Sequence, residues 1–427
     1  MLRQHTNVMS AFRSFLLFGV GASMVDFSDA LRTVLAHVQR LQAASVPLGE
    51  AVGLALAEDV ASDVDMPPFD KSAMDGFAVV AADLHAAPRV LRVVEEIPAG
   101  AVPTRAVHPG ECSRIMTGAP VPSGADAVVR VEDTKPGPAD GETTVVKPIE
   151  AGGNICFRAE DVARGDVVLR AGHVIRPPEV ALLGSCGCAR VPVFRRPRVA
   201  MLSTGNEVVP VDRVPAPGQI RDANGPYLAA RLRALGVEAA SLGIAPDEPS
   251  RLRAALAEGM QYDALVVSGG VSRGDYDFVP AILRELGTEL IFESVAMQPG
   301  RPTVFGVCGR TVVFALPGNP VSLMVTSELF LVPALRTMLG YREVNPRRRK
   351  AILAEPVHHR PGRLAYVPGI LSETESGWTV RPLPYHGSAH VAALSQSDCL
   401  VVLPAEVAAV EAGSPVEVVM MTGDRSV

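Results

Sequence analysis

From Arg198 onward the apolar and polar positions switch repeatedly between two periods. RVAMLSTG is an apolar run ending in small residues and reads as a buried strand. NGPYLAARLRALG follows at helical spacing, then EAASLGI as a strand. PSRLRAALAEG is a second helix, YDALVVSGG a third strand and DFVPAILRELG a third helix. The strand runs TELIFESVAM, PTVFGVC and TVVFALPG come next, and then a long helix, SLMVTSELFLVPALRTML. Such alternation predicts a parallel, doubly wound α/β domain, from about Pro197 to Gly340.

The flanking pattern differs. MVDFSDALRTVLAHVQRL reads as a helix capped by Ser28 or Asp29. From about Val46 to Val193 the apolar runs are short, as in LRVVEEIPAG and DAVVRVEDT, and Gly or Pro interrupts them. One or two small β-rich domains are expected there, with KPGPADGE as a surface hairpin or loop. PRRRK (Pro346–Lys350) marks a solvated boundary. Beyond it WTVRPL, CLVVLP and VEVVMM predict a small β-barrel or sandwich. Residues 1–23 read as a leader outside the folded protein, disordered or not native: SFLLFGVGA behind Arg3 and Arg13 resembles a short signal-peptide core, and Met24 opens the first real helix.

Composition narrows the function. A chain of 427 residues suggests three or four domains. A net charge of −6 argues against nucleic-acid binding by a basic surface, and 5% aromatics argue against stacking platforms. The six cysteines are scattered without a CxxC pair, as expected of reduced thiols in a cytoplasmic protein. No apolar run looks long enough to span a membrane.

In doubly wound sheets, ligands bind at the carboxyl ends of strands. Three polar loops fall there: STGNE (Ser203–Glu207), SGGVSRGDYD (Ser268–Asp277) and LPGNPVS (Leu316–Ser322). Small residues let a ligand approach their backbone N–H groups, and the last loop leads into a helix N-terminus suited to anions. GxGxxG and the P-loop are both absent at these positions. Any one loop is equally a tight turn; three on one edge, with carboxylates, point to a site. Glu207, Asp247, Asp275 and Asp277 lie in loops expected to converge. Acids repel an anion unless a hard cation lies between them, and Mg²⁺ shares its shell with substrate phosphates. The pattern predicts a metal-assisted site for a phosphorylated ligand, although each acid also reads as a helix cap or solvated loop, Asp247 especially before the Pro249 helix. Elsewhere, Thr117 in RIMTGAPVPSGADAVV and the Arg and Ser residues of HHRPGRLAYV and YHGSAH suit an oxyanion. PPFDKSAMDGFAV carries Asp70, Lys71, Ser72 and Asp75, more polar chemistry than a turn requires. No histidine has ligand-like partners.

PPFDKSAMDGFAV, RIMTGAPVPSGADAVV, STGNE, SGGVSRGDYD, MQPGRP and LPGNPVS occur in one order that resembles the MoeA family of molybdopterin molybdenumtransferases, equivalent to the E-domain of gephyrin-type proteins. The resemblance runs from about Val25 to the C-terminus. It implies an elongated homodimer of four domains: a linking domain over residues 24–50 and 150–195, a β-rich insertion over 51–149, a molybdopterin-binding α/β domain over 196–341, and a small β-barrel over 342–427. The implied reaction inserts molybdate into the dithiolene of adenylylated molybdopterin and releases AMP, with Mg²⁺ or another divalent cation. Other readings are a molybdopterin adenylyltransferase and a noncatalytic molybdopterin-binding scaffold.

Carried over by position, the resemblance implies catalytic roles for Asp75, Thr117, Glu207, Asp247 and Asp277, the last three on the cation. It implies substrate contacts from Ser72, from Ser268, Gly269, Gly270, Ser272 and Gly274, and from Pro317, Gly318, Asn319, Pro320 and Ser322. Gln298, Pro299, Gly300, Arg301, Arg363 and Ser388 correspond to the molybdate site. Gln298 stands where lysine is common, and Arg301 keeps a charge but in forked form. NICFRAED and Lys71 also depart from the family pattern. The implied cleft lies between the α/β domain of one subunit and other domains of its partner. A molybdopterin adenylyltransferase and molybdoenzyme apoproteins or their chaperones are the other partners implied, with no nucleic acid and no membrane.

Overall fold

The computed structural model describes residues 24–271, 277–384 and 387–421. Helix α1 (Phe27–His37) is capped by Asp26, whose side chain accepts the Ser28 N–H at 2.8 Å. The cap thus precedes the Ser28 or Asp29 expected from the sequence, because Asp26 has the extended backbone and Ser28 is already helical.

A β-rich unit follows. Strand β1 (Lys71–Ser72) leads into β2 (Gly76–Val79), β3 (Arg89–Ile97), β4 (Glu111–Ile115), β5 (Ala127–Arg130), β6 (Thr134–Pro136) and β7 (Glu142–Val145). The last six form one sheet in the order β5-β2-β4-β3-β7-β6. Gly76 opens β2 against the Val129 carbonyl, where a Cβ would collide. Strand β8 (Ile155–Cys156) returns to pair with β1.

The α/β unit runs through β9 (Val199–Thr204), α2 (Asn224–Ala234), β10 (Ala239–Ala245), α3 (Pro249–Gly259), β11 (Ala264–Ser268), α4 (Val279–Glu285) and β12 (Glu289–Phe292). Strand β13 (Met297–Gln298) comes next, followed by β14 (Val304–Cys308) and β15 (Thr311–Leu316). The sheet order is β10-β9-β11-β15-β14-β12. The first four strands are parallel, and β14 and β12 add antiparallel pairings. From β9 the chain crosses to β10 on one side and then returns to β11 on the other. The switch point therefore lies between β9 and β11, where such sheets bind ligands. TELIFESVAM is not one strand: Val25 pairs with residues 294–296, and β13 leaves the sheet.

The long helix is continuous from Pro320 to Met338. It comprises α5 (Pro320–Thr326), a π turn (Ser327–Leu331) and α6 (Val332–Met338). By length and composition it is apolar enough to cross a membrane, contrary to the sequence expectation, but it is 89% buried inside the protein. Within it, Glu328 pairs with Arg231 of α2; both are under one-tenth exposed, and Arg231 Nη2 lies 3.0 Å from Oε2.

The C-terminal unit contains β16 (Arg348–Leu353), β17 (Leu364–Thr374), β18 (Gly377–Pro382), β19 (Cys399–Leu403) and β20 (Pro415–Met420). The order β13-β17-β18-β16-β20-β19, with β17 also pairing β19, closes a five-stranded barrel and adds β13 beside it. The β13 pairing ties the α/β unit to the barrel, and Phe27 seals the junction. Its ring lies 5.4 Å from that of Phe330 and 5.6 Å from that of Tyr366.

Candidate functional site

Side-chain hydrogen bonds lace the carboxyl ends of β9, β11 and β15 together. Ser203 at the end of β9 donates to Asp222 at 2.8 Å. The other Asp222 oxygen accepts the N–H groups of Asn224 and Gly225, at 3.0 and 2.9 Å, and so holds the first turn of α2. Asn224 sends its amide nitrogen to the Ser268 hydroxyl at 2.7 Å and to the Gly318 carbonyl at 2.8 Å. Thr204 donates to the Ser268 carbonyl at 3.2 Å, and Gly269 N–H to the Leu316 carbonyl at 3.0 Å. Gly269 has φ +95°, and a Cβ there would lie 2.7 Å from the Thr204 hydroxyl. The glycines are thus required where the loops cross. STGNE, the SGG turn and LPGNP form one clamped rim.

The acids lie beside this rim. Asp247 does not cap α3, whose N-cap is Glu248 without a side-chain bond. Instead its backbone N–H donates to Asn206 Oδ1 at 3.1 Å, while its carboxylate accepts Asn206 N–H at 3.3 Å. Partial burial pushes the Asp247 carboxyl above its usual range; the Asn206 N–H opposes this, and the charges of Glu207 and Asp277 reinforce it. Asp247 therefore lies within reach of the charges of both Glu207 and Asp277. Among the described residues, no three His, Cys, Asp or Glu groups are close enough to hold a metal as a ready-made cage. Ser272, Gly274 and Asp275 lie outside the described residues. A cavity of about 730 Å³ opens beside Gly205, Asn206 and Asp222, between α2 and the edge strand β10. It flanks the STGNE loop and is not lined by the SGG or LPGNP loops.

The oxyanion residues assemble from two directions. Strand β13 pairs in parallel with β17, setting Met297 against Leu364 and Gln298 against Ala365. Arg363, just before β17, thereby comes to the edge that carries Gln298. Gly300 has φ +108° and packs where a Cβ would strike Thr326 of α5. Arg301 is exposed, while the Gln298 side-chain oxygen is buried without a protein partner. From the other side, Ser388 accepts the Asn319 amide at 2.7 Å and, through its carbonyl, the Val321 N–H at 3.0 Å. Pro317 is buried, and Pro320 starts α5.

The second wall is built in the β-rich unit. Thr117 donates both its N–H and its hydroxyl to one oxygen of Asp75, each at 2.7 Å. Those bonds, the backbone one first, hold the Asp75 carboxyl below its usual range. Both residues are exposed. Ser72 is buried, and its hydroxyl donates to the Met74 carbonyl at 2.6 Å, which shapes the turn. Ser268 and Ser322 are likewise buried, the former engaged by Asn224. Asp70 accepts Arg158 N–H at 2.7 Å.

Successive stretches match the models described as "MoeA N-terminal region (domain I and II)", over residues 25–187, "Probable molybdopterin binding domain", over 200–337, and "MoeA C-terminal region (domain IV)", over 350–421. A molybdopterin molybdenumtransferase of Staphylococcus aureus is 34% identical over 94% of this chain and 97% of its own length. The chain belongs to the MoeA family. A Staphylococcus epidermidis molybdopterin molybdenumtransferase is 31% identical over 93% of this chain and 95% of its own. The crystal structure of a molybdopterin biosynthesis MoeA protein from Pyrococcus horikoshii superposes with a TM-score of 0.80 at 33% identity. It covers 94% of this chain and 100% of that one.

Sequence reading of this MoeA-family chain overlooked Asp222 and Asn224, which tie the rim together. The available signal was RDANGP: Asp, Asn and Gly just ahead of a helix. It reads as an ordinary cap until the fold brings Ser268 and Gly318 to the same amide.

Proposed function

We propose that this chain inserts molybdate into the dithiolene of adenylylated molybdopterin and releases AMP, acting in the cytoplasm as a homodimer with Mg²⁺ or another divalent cation. The carrying observation is the clamped rim at the β9/β11 switch point, with Asp247 held beside Glu207 and Asp277. Repelling carboxylates on an anion-binding edge are what a hard cation relieves, and Mg²⁺ needs few protein ligands when phosphates and water complete its shell. Glu207, Asp247 and Asp277 would hold it. When bound, it supplies charge neutralisation to the phosphoanhydride and activates an attacking oxygen. The chain's own part is placement. Gly270 and Gly318 bring backbone N–H groups to this edge, and α5 aims its N-terminus at it. Arg301 and Arg363 offer forked donors to molybdate, with Gln298 and Ser388 beside them.

Asp75 and Thr117 bond to each other, and we assign them to the cleft of the second subunit. Phe69, Met74 and Phe157 support this, because these large apolar side chains are exposed in and beside the Asp75 loop. The cysteines, all unpaired, suit a reducing compartment.

Purified protein given adenylylated molybdopterin, Mg²⁺ and molybdate should release AMP as cofactor forms. No AMP at saturating substrate would sink the reading. Binding without turnover would favour a scaffold, and ATP-dependent adenylylation of molybdopterin an adenylyltransferase. Full activity in Asp277→Ala would remove the acid assignment.

A further inference from the structure

We propose a second anion site, for an oxyanion of the phosphate class, at the opposite end of the α/β sheet. A cavity of about 280 Å³ lies where β11 and β15 begin, lined in part by His37, Arg40, Arg195, Asp263 and Arg310. The candidate catalytic rim lies at the other ends of these strands, roughly 17 Å away for strands of five residues. The cleft is therefore separate from that site.

Its charge is unbalanced. Asp263 is its one acid, and Arg195 grips that carboxylate with two bonds of 2.7 Å. The Arg198 N–H adds a third at 2.7 Å. Arg195 and Asp263 thus cancel. Among the described residues, the side chains of Arg40 and Arg310 make no ion pair or hydrogen bond. Two arginines without a counter-charge line one small cavity, in a chain whose net charge is −6. Their planar forks match tetrahedral oxyanions better than point charges do.

The Arg40 guanidinium is held in place, and the backbone that carries Arg310 is a tight turn. The Arg40 guanidinium lies 5.9 Å over the Phe194 ring, and the next residue, Leu41, donates its N–H to the Met338 carbonyl at 3.0 Å. Arg310 occupies the two-residue turn between β14 and β15, whose closing pair is Cys308 with Thr311. Gly309 takes φ +60° in that turn. His37 donates Nδ1–H to the Thr33 carbonyl at 2.8 Å, which fixes its ring at the rim. Preorganised donors lose little freedom on binding. The volume sits just below the usual 300–1,000 Å³ of ligand pockets, so the occupant is small: free phosphate or the phosphate end of a small metabolite.

The test titrates inorganic phosphate and glucose 6-phosphate into the full-length protein by calorimetry, with Arg40→Gln, Arg310→Gln and Arg363→Gln in parallel. Both charge-removing variants carry exposed side chains and should unfold like the parent. Each should weaken phosphate binding about tenfold or more, as expected for a lost charge-assisted contact. Arg363→Gln should leave that binding event intact. Stronger binding of the sugar phosphate would identify an ester as the occupant, and binding of phosphate alone the free ion. Absence of saturable binding, unchanged binding in Arg40→Gln and Arg310→Gln, or loss only in Arg363→Gln would overturn the proposal.

Discussion

Removing the Asn224 side chain should loosen the whole rim. The amide orientation follows from its neighbours: the Gly318 carbonyl can only accept, so the nitrogen must face it. Asn224→Ala deletes two hydrogen bonds, of 2.7 and 2.8 Å, each contributing about 1 kcal/mol net. It also leaves the Gly318 carbonyl without that donor, costing about 1 kcal/mol more. Against this, the Asn224 oxygen is itself buried without a partner, and its loss returns about 1 kcal/mol. The net cost is about 2 kcal/mol, or roughly thirtyfold in a local opening equilibrium. Hydrogen exchange reads this directly at Gly269, whose N–H bonds the Leu316 carbonyl, and at Gly225, held by Asp222. Both amides should exchange roughly thirtyfold faster, while amides in the barrel strands keep their rates. Asn224→Asp sets a carboxyl oxygen against the Gly318 carbonyl and is tolerated only when protonated, so its folded pKa rises. Its stability is then fully present at low pH and is lost as pH rises through that folded value. Unchanged exchange at Gly269 in Asn224→Ala would refute the clamp.

Asp75→Ala and Asp277→Ala should each abolish AMP release, yet dissociated and re-mixed subunits should regain part of it, because a shared site leaves one intact cleft per mixed dimer. No recovery on mixing would place both residues in one subunit's site. Asp247→Asn should raise thermal stability while lowering turnover. The folded pKa of Asp247 is raised, so its ionised form opposes folding: its contribution is favourable at low pH and is lost as pH rises through the folded value. A thermal scan at neutral pH showing a lower midpoint would contradict this. Glu328→Gln should cost about 3–5 kcal/mol in denaturant unfolding by leaving Arg231 buried without its counter-charge, whereas replacing both by apolar residues should cost far less.

Much of the α/β unit was legible locally. The alternation of period-2 and period-3.6 runs from Arg198 specified strands and helices, because each buries one face or one stripe. The ordered loop motifs carried the family. Local pattern failed where a long-range partner decides. Residues 294–298 read as a continuing strand, but pairing with Val25 and β17 draws them out of the sheet. The helix from Pro320 to Met338 has the composition of a span, and only its burial makes it a core helix.

The site divides the same way. Residue types and order sufficed to nominate the three loops and their acids, since three polar, small-residue loops with carboxylates fall at one edge of the sheet. Asp247 read equally as a cap or a site acid. Glu248 takes the N-cap of α3, and the Asp247 carboxylate instead accepts the Asn206 N–H, so Asp247 does not cap that helix. Ser72 was nominated as a ligand contact from its motif, and only the fold shows its hydroxyl bonding within its own turn. Asn224 could not be recognised at all from its neighbours in the chain, because its partners Ser268 and Gly318 are 44 and 94 residues away. Sequence by itself determined which groups were available. Hydrogen bonds between distant segments decided which of them hold the rim and which face outward from it.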